Sequence, residues 1–331
     1  MTSETKKIFI ADDDPDILAI LSMMLRTSKY QVDASTNAND VFKYSNNLPD
    51  LILLDIWMSG LDGRDICKRL KEDKLTKKIP VIFVSANSNI EEIVVENNNA
   101  IGIKINNEIL RANVVLSGAD YHHTETLLPK EYRQYSEAYW DKKTFAPSSL
   151  LFYVGFDKKL KNVCHHNLFF DTDFDKHAID IYDHPKWPTE PLFYANFTSL
   201  TNQQTAPEGC ENGFFLIPIA PNLTDNEQLR EQYFEKIITR FEKITKQDVR
   251  KNIIFKKSFC VNDFKSEYNS YKGNAYGLAN TLLQTAVLRP NLKSKKIGNL
   301  YFTGQLTVPG PGVPPALISG KLVSQLIQKY Q

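Results

Sequence analysis

The sequence predicts an α/β chain in two parts: a doubly wound parallel sheet over residues 1–89, then an α+β region with a mixed sheet over 90–331. Three observations predict it. Short apolar runs alternate with helical apolar spacing as far as Val84. Those runs are uniformly apolar, which suits strands buried on both faces. Beyond residue 90 the alternation stops, and hairpins, aromatic strands and one long amphipathic helix replace it.

Ile8-Phe9-Ile10-Ala11 reads as the first strand, closed by Asp12-Asp13-Asp14-Pro15. Acids and an early proline open a helix, along which Ile17, Leu18, Leu21, Met24 and Leu25 recur. Tyr30 to Ala34 is a second strand, and Val41, Phe42 and Tyr44 sit on a short helix. Leu51 to Leu54 is a third strand ending at Asp55. A helix carrying Ile66 and Leu70 follows Asp62-Gly63. Val81 to Val84 is a fourth strand ending at Ser85.

The totals exclude several classes. The 331 residues carry 40 basic and 39 acidic side chains, a net charge of +1, which gives no electrostatic case for nucleic acid. The four cysteines are scattered and form no C-x-x-C pair, so they read as reduced thiols. No apolar stretch has the length of a membrane span or a signal peptide. The chain is expected to be cytoplasmic, a reading compatible with peripheral attachment to a membrane surface.

Ligands of such a sheet sit at the carboxyl ends of its strands. Those ends carry Asp12, Asp13, Asp55 and Ser85. Carboxylates brought together repel unless a cation joins them, and oxygen-only ligands suit Mg²⁺. An aspartate beside such an ion can accept a phosphoryl group, and a hydroxyl at Ser85 can hydrogen-bond its oxygens. Any one of these acids alone would read as a helix cap.

Ile8 to Ala86 resembles a response-regulator receiver domain, a flavodoxin-like fold. The resemblance rests on Asp12-Asp13, Asp55, Asp62-Gly63 and Ser85-Ala86. It implies Asp55 as phosphoacceptor, with Asp13, Asp55 and the Trp57 carbonyl on Mg²⁺ and Asp12 in support. It also implies a histidine kinase or small phosphodonor as partner. Ser59 stands where the family usually has proline. The family's fifth strand, its Lys-Pro pair and its last helices do not follow. Lys104 stands near the lysine's distance, but in an alternating strand with no proline after it. The domain is therefore expected to be truncated at about residue 89, with one sheet edge and face uncovered.

Beyond the seam, Ile93 to Ile105 reads as a hairpin and Ala112 to Leu116 as a buried strand closed by Ser117-Gly118-Ala119-Asp120. Thr224-Asp225-Asn226-Glu227 reads as a capping box ahead of a helix through Leu229, Tyr233, Ile237, Phe241 and Ile244. The aromatics of 130–200 suit either a core or the wall of an apolar channel. His122-His123 and His165-His166, read as strand residues, point to opposite faces and do not chelate. Leu300 to Phe302 is a strand, and a Gly/Pro-rich loop leads to Pro314-Pro315 in the first turn of a last helix. The loop suits close backbone approach to a flat ligand, or simply a rigid turn. A helix start beyond it favours negative charge.

The order of these pieces resembles the C-terminal half of bacterial carotenoid (phytoene) desaturases, FAD-dependent amine-oxidase-like flavoproteins. The matching motifs are Val114 to Thr124, Tyr276-Gly277 with Arg289-Pro290, and Leu300 to Lys321. The resemblance implies a flavin against Thr303, Gly304, Gln305, Pro309, Gly310, Gly312, Val313 and Pro314. It also implies a long linear carotenoid substrate met at a membrane surface. Gln305 and Thr307 stand where the family commonly shows small residues and a His or Thr. No strand with G-x-G-x-x-G and a helix is present to hold the FAD pyrophosphate. The combined expectation is a fusion of a phosphoacceptor module with a desaturase-like oxidoreductase segment, both impaired. The alternatives are a desaturase completed by a partner that supplies the other half, and a rearrangement product without function.

Overall fold

The computed structural model describes residues 5–44, 47–58, 61–84 and 90–330. The chain divides into two compact units, Met1–Asn89 and Ile90–Gln331.

In the first unit, β1 (Lys7–Ala11), β2 (Gln31–Ser35), β3 (Leu51–Asp55) and β6 (Val81–Val84) form a parallel sheet in the order β2-β1-β3-β6. Between β3 and β6 lie a two-stranded ribbon, β4 (Trp57–Met58) with β5 (Leu61–Asp62), and helix α2 (Gly63–Glu72). Helix α1 (Pro15–Thr27) starts where Asp14 accepts the N–H groups of Asp16 and Ile17, with proline at the first helical position. The expected short helix after β2 is a 3₁₀ turn over Ala38–Lys43, and Tyr44 already lies outside it.

Alternate residues of β1 enter two cores. Ile8 and Ile10 meet Leu18 of α1, and Phe9 and Ala11 meet Ile66 and Leu70 of α2. Burial on both faces holds for β1 but fails for β6, where Ile82 is 50% and Val84 39% exposed. Leu53 pairs in register with Ile82, which places Ile82 on the α1 side of the sheet. Across that side, Ile17, Ile20 and Met24 of α1 are exposed as well. Among the described residues β6 is the last strand on its side of the sheet.

The second unit opens with an antiparallel sheet of β7 (Glu92–Glu96), β8 (Asn99–Ile105) and β9 (Glu108–Arg111). β10 (Val115–Ser117) comes next and pairs in parallel with β16 (Leu300–Phe302) from the far end of the chain. β10 is not fully buried as expected, since Leu116 is exposed. Two short helices, α3 (Tyr121–Thr126) and α4 (Glu137–Asp141), pack aromatic side chains against β16. Tyr121 stacks on Phe302 at 3.9 Å between ring centres.

The centre of this unit is a five-stranded antiparallel sheet. Its strands are β11 (Ser148–Phe156), β12 (His166–Phe169), β13 (Phe193–Asn196), β14 (Glu211–Ile219) and β15 (Ile253–Phe259), in the order β12-β13-β14-β11-β15. Helix α5 (Phe174–Tyr182) lies between β12 and β13 in sequence, and α6 (Glu227–Thr245) between β14 and β15. Alternation along β14 sends Phe215, Ile217 and Ile219 to one face, where Tyr233, Phe234, Ile237, Ile238 and Phe241 of α6 cover them.

The capping box does not form at Thr224. Asn226 caps α6 by accepting the N–H of Leu229, while Asp225 pairs with Arg230 at 2.6 Å. The helix begins at Glu227, so the acid that the motif placed at the third helical position stands at the first. Helix α7 (Val261–Tyr268) and the final helix α8 (Val313–Tyr330) complete the unit.

Candidate functional site

Two sites are built at strand ends. In the first unit, β1 delivers Asp12 and Asp13 and β3 delivers Asp55, because both strands run parallel and end at one level. One oxygen from each of these acids lies within 4.8 Å of the others. Asp12 is buried, and its Oδ1 accepts the N–H of Asp14 at 2.9 Å. Burial pushes its carboxyl above the ordinary range; the Asp14 N–H opposes this, and the negative charges of Asp13 and Asp14 add to it. A set of carboxylate oxygens this close fits a hard divalent cation.

Asp62 takes no part in this cluster. It caps α2 and pairs with Arg64 at 2.6 Å, which holds its carboxyl below the usual range. Gly63 has a steric reason: a Cβ there would stand 2.1 Å from the carbonyl oxygen of Asp55. Trp57 pairs in register with Asp62 in the β4–β5 ribbon. Ser85 and Ser59 lie outside the described residues. Lys104 belongs to β8 in the second unit and pairs with Glu91 at 3.6 Å.

The second site surrounds the carboxyl ends of β10 and β16. The Thr303 N–H donates to the Ser117 carbonyl, which continues the pairing to the loop. Ser319 of α8 organises the start of that loop. Its fully buried hydroxyl donates to the Ala316 carbonyl and receives the Gly304 N–H at 2.8 Å and the Thr303 hydroxyl at 2.7 Å. Thr307, also fully buried, donates its hydroxyl to the Gly304 carbonyl at 2.7 Å. The Gly304 peptide is thus held from both sides, at a φ of +107° that glycine tolerates.

Arg289 is the second organiser; the sequence marked it only as part of the Arg289-Pro290 motif and assigned it no role. Its buried guanidinium donates to the carbonyls of Leu278, Gln284, Gln305 and Thr307 and to Oδ1 of Asn280. No carboxylate accompanies it among the described residues. The signals available in the sequence were that motif and an arginine standing alone in an otherwise uncharged stretch.

Of the predicted flavin contacts, Thr303, Gly304 and Gln305 are half-buried, Gly310 is buried, and Pro309, Val313 and Pro314 are exposed. A Cβ at Gly312 would meet nothing within 4 Å, and one at Gly304 only the Gly118 carbonyl at 3.8 Å. The loop therefore presents an open, glycine-lined surface that fits the ring end of a flavin. The pyrophosphate end finds no such fit, since the glycine turn that would hold it is not among these strand–helix junctions. The start of α8 also offers few donors. Pro314 and Pro315 have no N–H, and that of Ala316 goes to the Gly312 carbonyl.

The face of the five-stranded sheet opposite α6 carries a row of side chains in register. Leu168, Tyr194, Leu216 and Leu151 pair strand to strand, and Asn196, Phe214 and Tyr153 form the next row. Leu168, Tyr153 and Phe255 are exposed there. The aromatics of 130–200 thus divide between core and surface: Phe152, Phe156, Phe169, Phe193 and Phe197 are buried, whereas Tyr153, Phe170 and Tyr182 are exposed. His122 and His123 lie on α3, not on a strand, and His166 on β12 bonds Tyr194 at 2.6 Å. Among the described residues the acid cluster is the sole metal-ligand grouping.

Comparison with known proteins matches both parts. Residues 8–102 match the family described as "Response regulator receiver domain". The last stretch of that match, from Ile90, is built here into the β7–β8 hairpin of the second unit. A carotenoid 3,4-desaturase of Haloarcula japonica is 41% identical over 247 residues, covering 74% of this chain and 50% of that protein. A 4,4'-diapophytoene desaturase (4,4'-diaponeurosporene-forming) of Staphylococcus haemolyticus is 31% identical over 257 residues, covering 74% of this chain and 51% of that protein. The chain spans about half the length of the curated relatives it matches. Among solved structures, the N-terminal domain of a response regulator receiver protein from Methanoculleus marisnigri JR1 is 33% identical. It covers 24% of this chain and 67% of that one, with a TM-score of 0.24. By the family match and the desaturase relatives, the chain joins a receiver-like parallel sheet to a carotenoid desaturase-like region. No helix among the described residues is long and apolar enough to cross a membrane.

Proposed function

We propose that the first unit is a Mg²⁺-dependent phosphoacceptor that takes its phosphoryl group on Asp55 from a histidine kinase or a small phosphodonor. The observation that carries this reading is the convergence of Asp12, Asp13 and Asp55 oxygens within 4.8 Å. Asp13 and Asp55, with the Trp57 carbonyl and Asp12 in support, would hold the ion, which supplies charge neutralisation during transfer. A carboxylate oxygen of Asp55 attacks phosphorus and an acyl phosphate forms. The bond from phosphorus to the donor atom breaks, an imidazole nitrogen of a phosphohistidine or an oxygen of a small acyl phosphate, and its electron pair leaves with the donor. Ser85 is assigned to hydrogen-bond the transferred oxygens. Acetyl phosphate with Mg²⁺ should label the protein, and Asp55→Asn should abolish the label. Unaltered labelling of that variant would overturn the assignment.

The second unit is read as a desaturase-like redox segment, with FAD as cofactor and a long linear carotenoid as substrate. Its support is the apolar sheet face and the open glycine-lined loop at Gly304 and Gly312. Within this chain both ancestral activities are read as impaired. The switch-coupling lysine has no clear counterpart, since Lys104 is paired to Glu91, and the pyrophosphate turn is missing. A specific observation favours completion by a partner. Leu282, Leu283, Val287 and Leu288 form an exposed apolar ridge close in sequence to Arg289, and Val313, Leu317 and Ile318 of α8 are exposed beyond the loop. Co-expression with a dinucleotide-binding half of a desaturase should yield a yellow, flavin-bearing complex. Colourless protein in the presence of that half and FAD would remove this reading. In that case the rearrangement product without function is left for the second unit.

A further inference from the structure

A cavity of about 470 Å³ opens between α3, the turn at Asn222, the C-terminal end of α7 and the 3₁₀ turn at Tyr271. It lies within the second unit. Its lining includes His122, His123, Asn222, Lys265, Asn269 and Lys272, and no acid.

We propose that this cavity binds a phosphorylated anion. The surrounding acids are already committed. Asp120 accepts the N–H groups of His123 and Tyr271, Glu137 bonds His122 at 2.8 Å, and Asp141 pairs with Lys272 at 3.2 Å. Lys265 is different. Its ammonium meets only the neutral Oδ1 of Asn222, at 3.2 Å, and among the described residues it has no carboxylate partner. A positive charge therefore remains on the lining.

Neutral donors stand beside it. Among the described residues, neither ring nitrogen of His123 has a hydrogen-bond partner, nor does the side-chain amide of Asn269, although His123 is half-buried. Asn222 accepts from Lys265 and has its own NH₂ still to place. Burial holds the His123 imidazole below its ordinary pKa, with Asp120 opposing, so the ring is a neutral donor or acceptor at pH 7.

The donors come from separate elements and different directions, and no arginine is among the lining residues. The cationic contact is therefore a lysine ammonium, which serves phosphate as a point charge, and neutral donors from several sides suit an anion with oxygens in more than one plane. The backbone is shaped for the arrangement: Asn222, Asn269 and Lys272 all adopt left-handed conformations, which turn three loop ends into one cleft. The cavity exceeds the size of a bare phosphate, which leaves room for an organic group on it. That group could be the headgroup of a phospholipid or a free phosphorylated metabolite.

The test uses the full chain without Mg²⁺, so that the acid cluster gathers no phosphate. Calorimetric titration with inorganic phosphate is paired with co-sedimentation on vesicles of phosphatidylglycerol or of phosphatidylcholine. The expected result is saturable binding in at least one arm. Lys265→Glu and Asn269→Gly should each weaken it by about tenfold, the scale of one lost charge-assisted hydrogen bond, and Asp55→Asn should leave it unchanged. Glycine at 269 preserves the left-handed turn, so that variant removes the amide alone. Binding of soluble phosphate assigns a free ligand. Retention on phosphatidylglycerol alone assigns a lipid headgroup. Absence of binding in both arms, or binding indifferent to both variants, overturns the proposal.

Discussion

Gly63 and Asp55 stand so close that a Cβ on the glycine would lie 2.1 Å from the aspartate's carbonyl oxygen. The start of α2 is thereby pressed against the strand end that carries the proposed phosphoacceptor. Gly63 N–H also donates to the Ile56 carbonyl at 2.9 Å, which closes the β4–β5 turn over the same point.

Gly63→Ala should therefore displace the Asp55 backbone. Overpacking of this kind costs about 1–3 kcal/mol. Labelling by acetyl phosphate should fall while Asp55 itself is intact, and the urea midpoint of the first unit should drop. Unchanged labelling and an unchanged midpoint would show that the turn relaxes freely.

Arg289 ties four backbone carbonyls and Asn280 together. Arg289→Ala leaves those carbonyls buried without donors, at a cost of at least ~3 kcal/mol. Arg289→Lys should recover only part, because one ammonium does not span the five acceptors. Urea unfolding of the second unit, followed by tryptophan fluorescence, is the measurement.

His177 is buried, with its Nδ1 accepting the Leu192 N–H and its Nε2 donating to the Pro218 carbonyl. The Leu192 contact requires the neutral ring, because a protonated Nδ1 cannot accept. Burial lowers its pKa, and the Pro218 carbonyl and Asp180 oppose the shift. A group lowered on folding binds its proton more readily unfolded, so its contribution is complete above the unfolded value near 6.5 and is lost as pH falls below it. Thermal midpoints of the wild type should fall between pH 7 and pH 5 more steeply than those of His177→Gln. Parallel slopes would exclude His177 as the cause.

Leu282 is 90% and Val287 91% exposed. Leu282→Asp and Val287→Asp should change stability by no more than about 0.5 kcal/mol. If this ridge is the seat of a complementing half, the same changes should abolish capture of that half in a pull-down. Retained capture would place the partner elsewhere.

Much of the first unit was legible because its signals are local. Apolar runs at Ile8, Leu51 and Val81 become strands by burial, and Asp14-Pro15 starts a helix by satisfying its free N–H groups. The acid cluster could be anticipated from the same pattern, since parallel strands deliver their carboxyl ends to one edge. The misreadings arose where a neighbouring side chain made the cap. Asn226 caps α6 where the motif named Thr224, and His122-His123 became helical because Asp120 caps α3.

Sequence by itself thus determined the two architectures, the acids at the strand ends and the glycine-rich loop, all of which depend on spacing and backbone preference. Tertiary structure alone decided that Arg289 and Ser319 hold that loop. It also decided that Lys265 keeps an uncompensated charge and that β6 exposes one face. Those outcomes depend on which groups remain unpaired after long-range packing, and no local pattern of residues encodes that remainder.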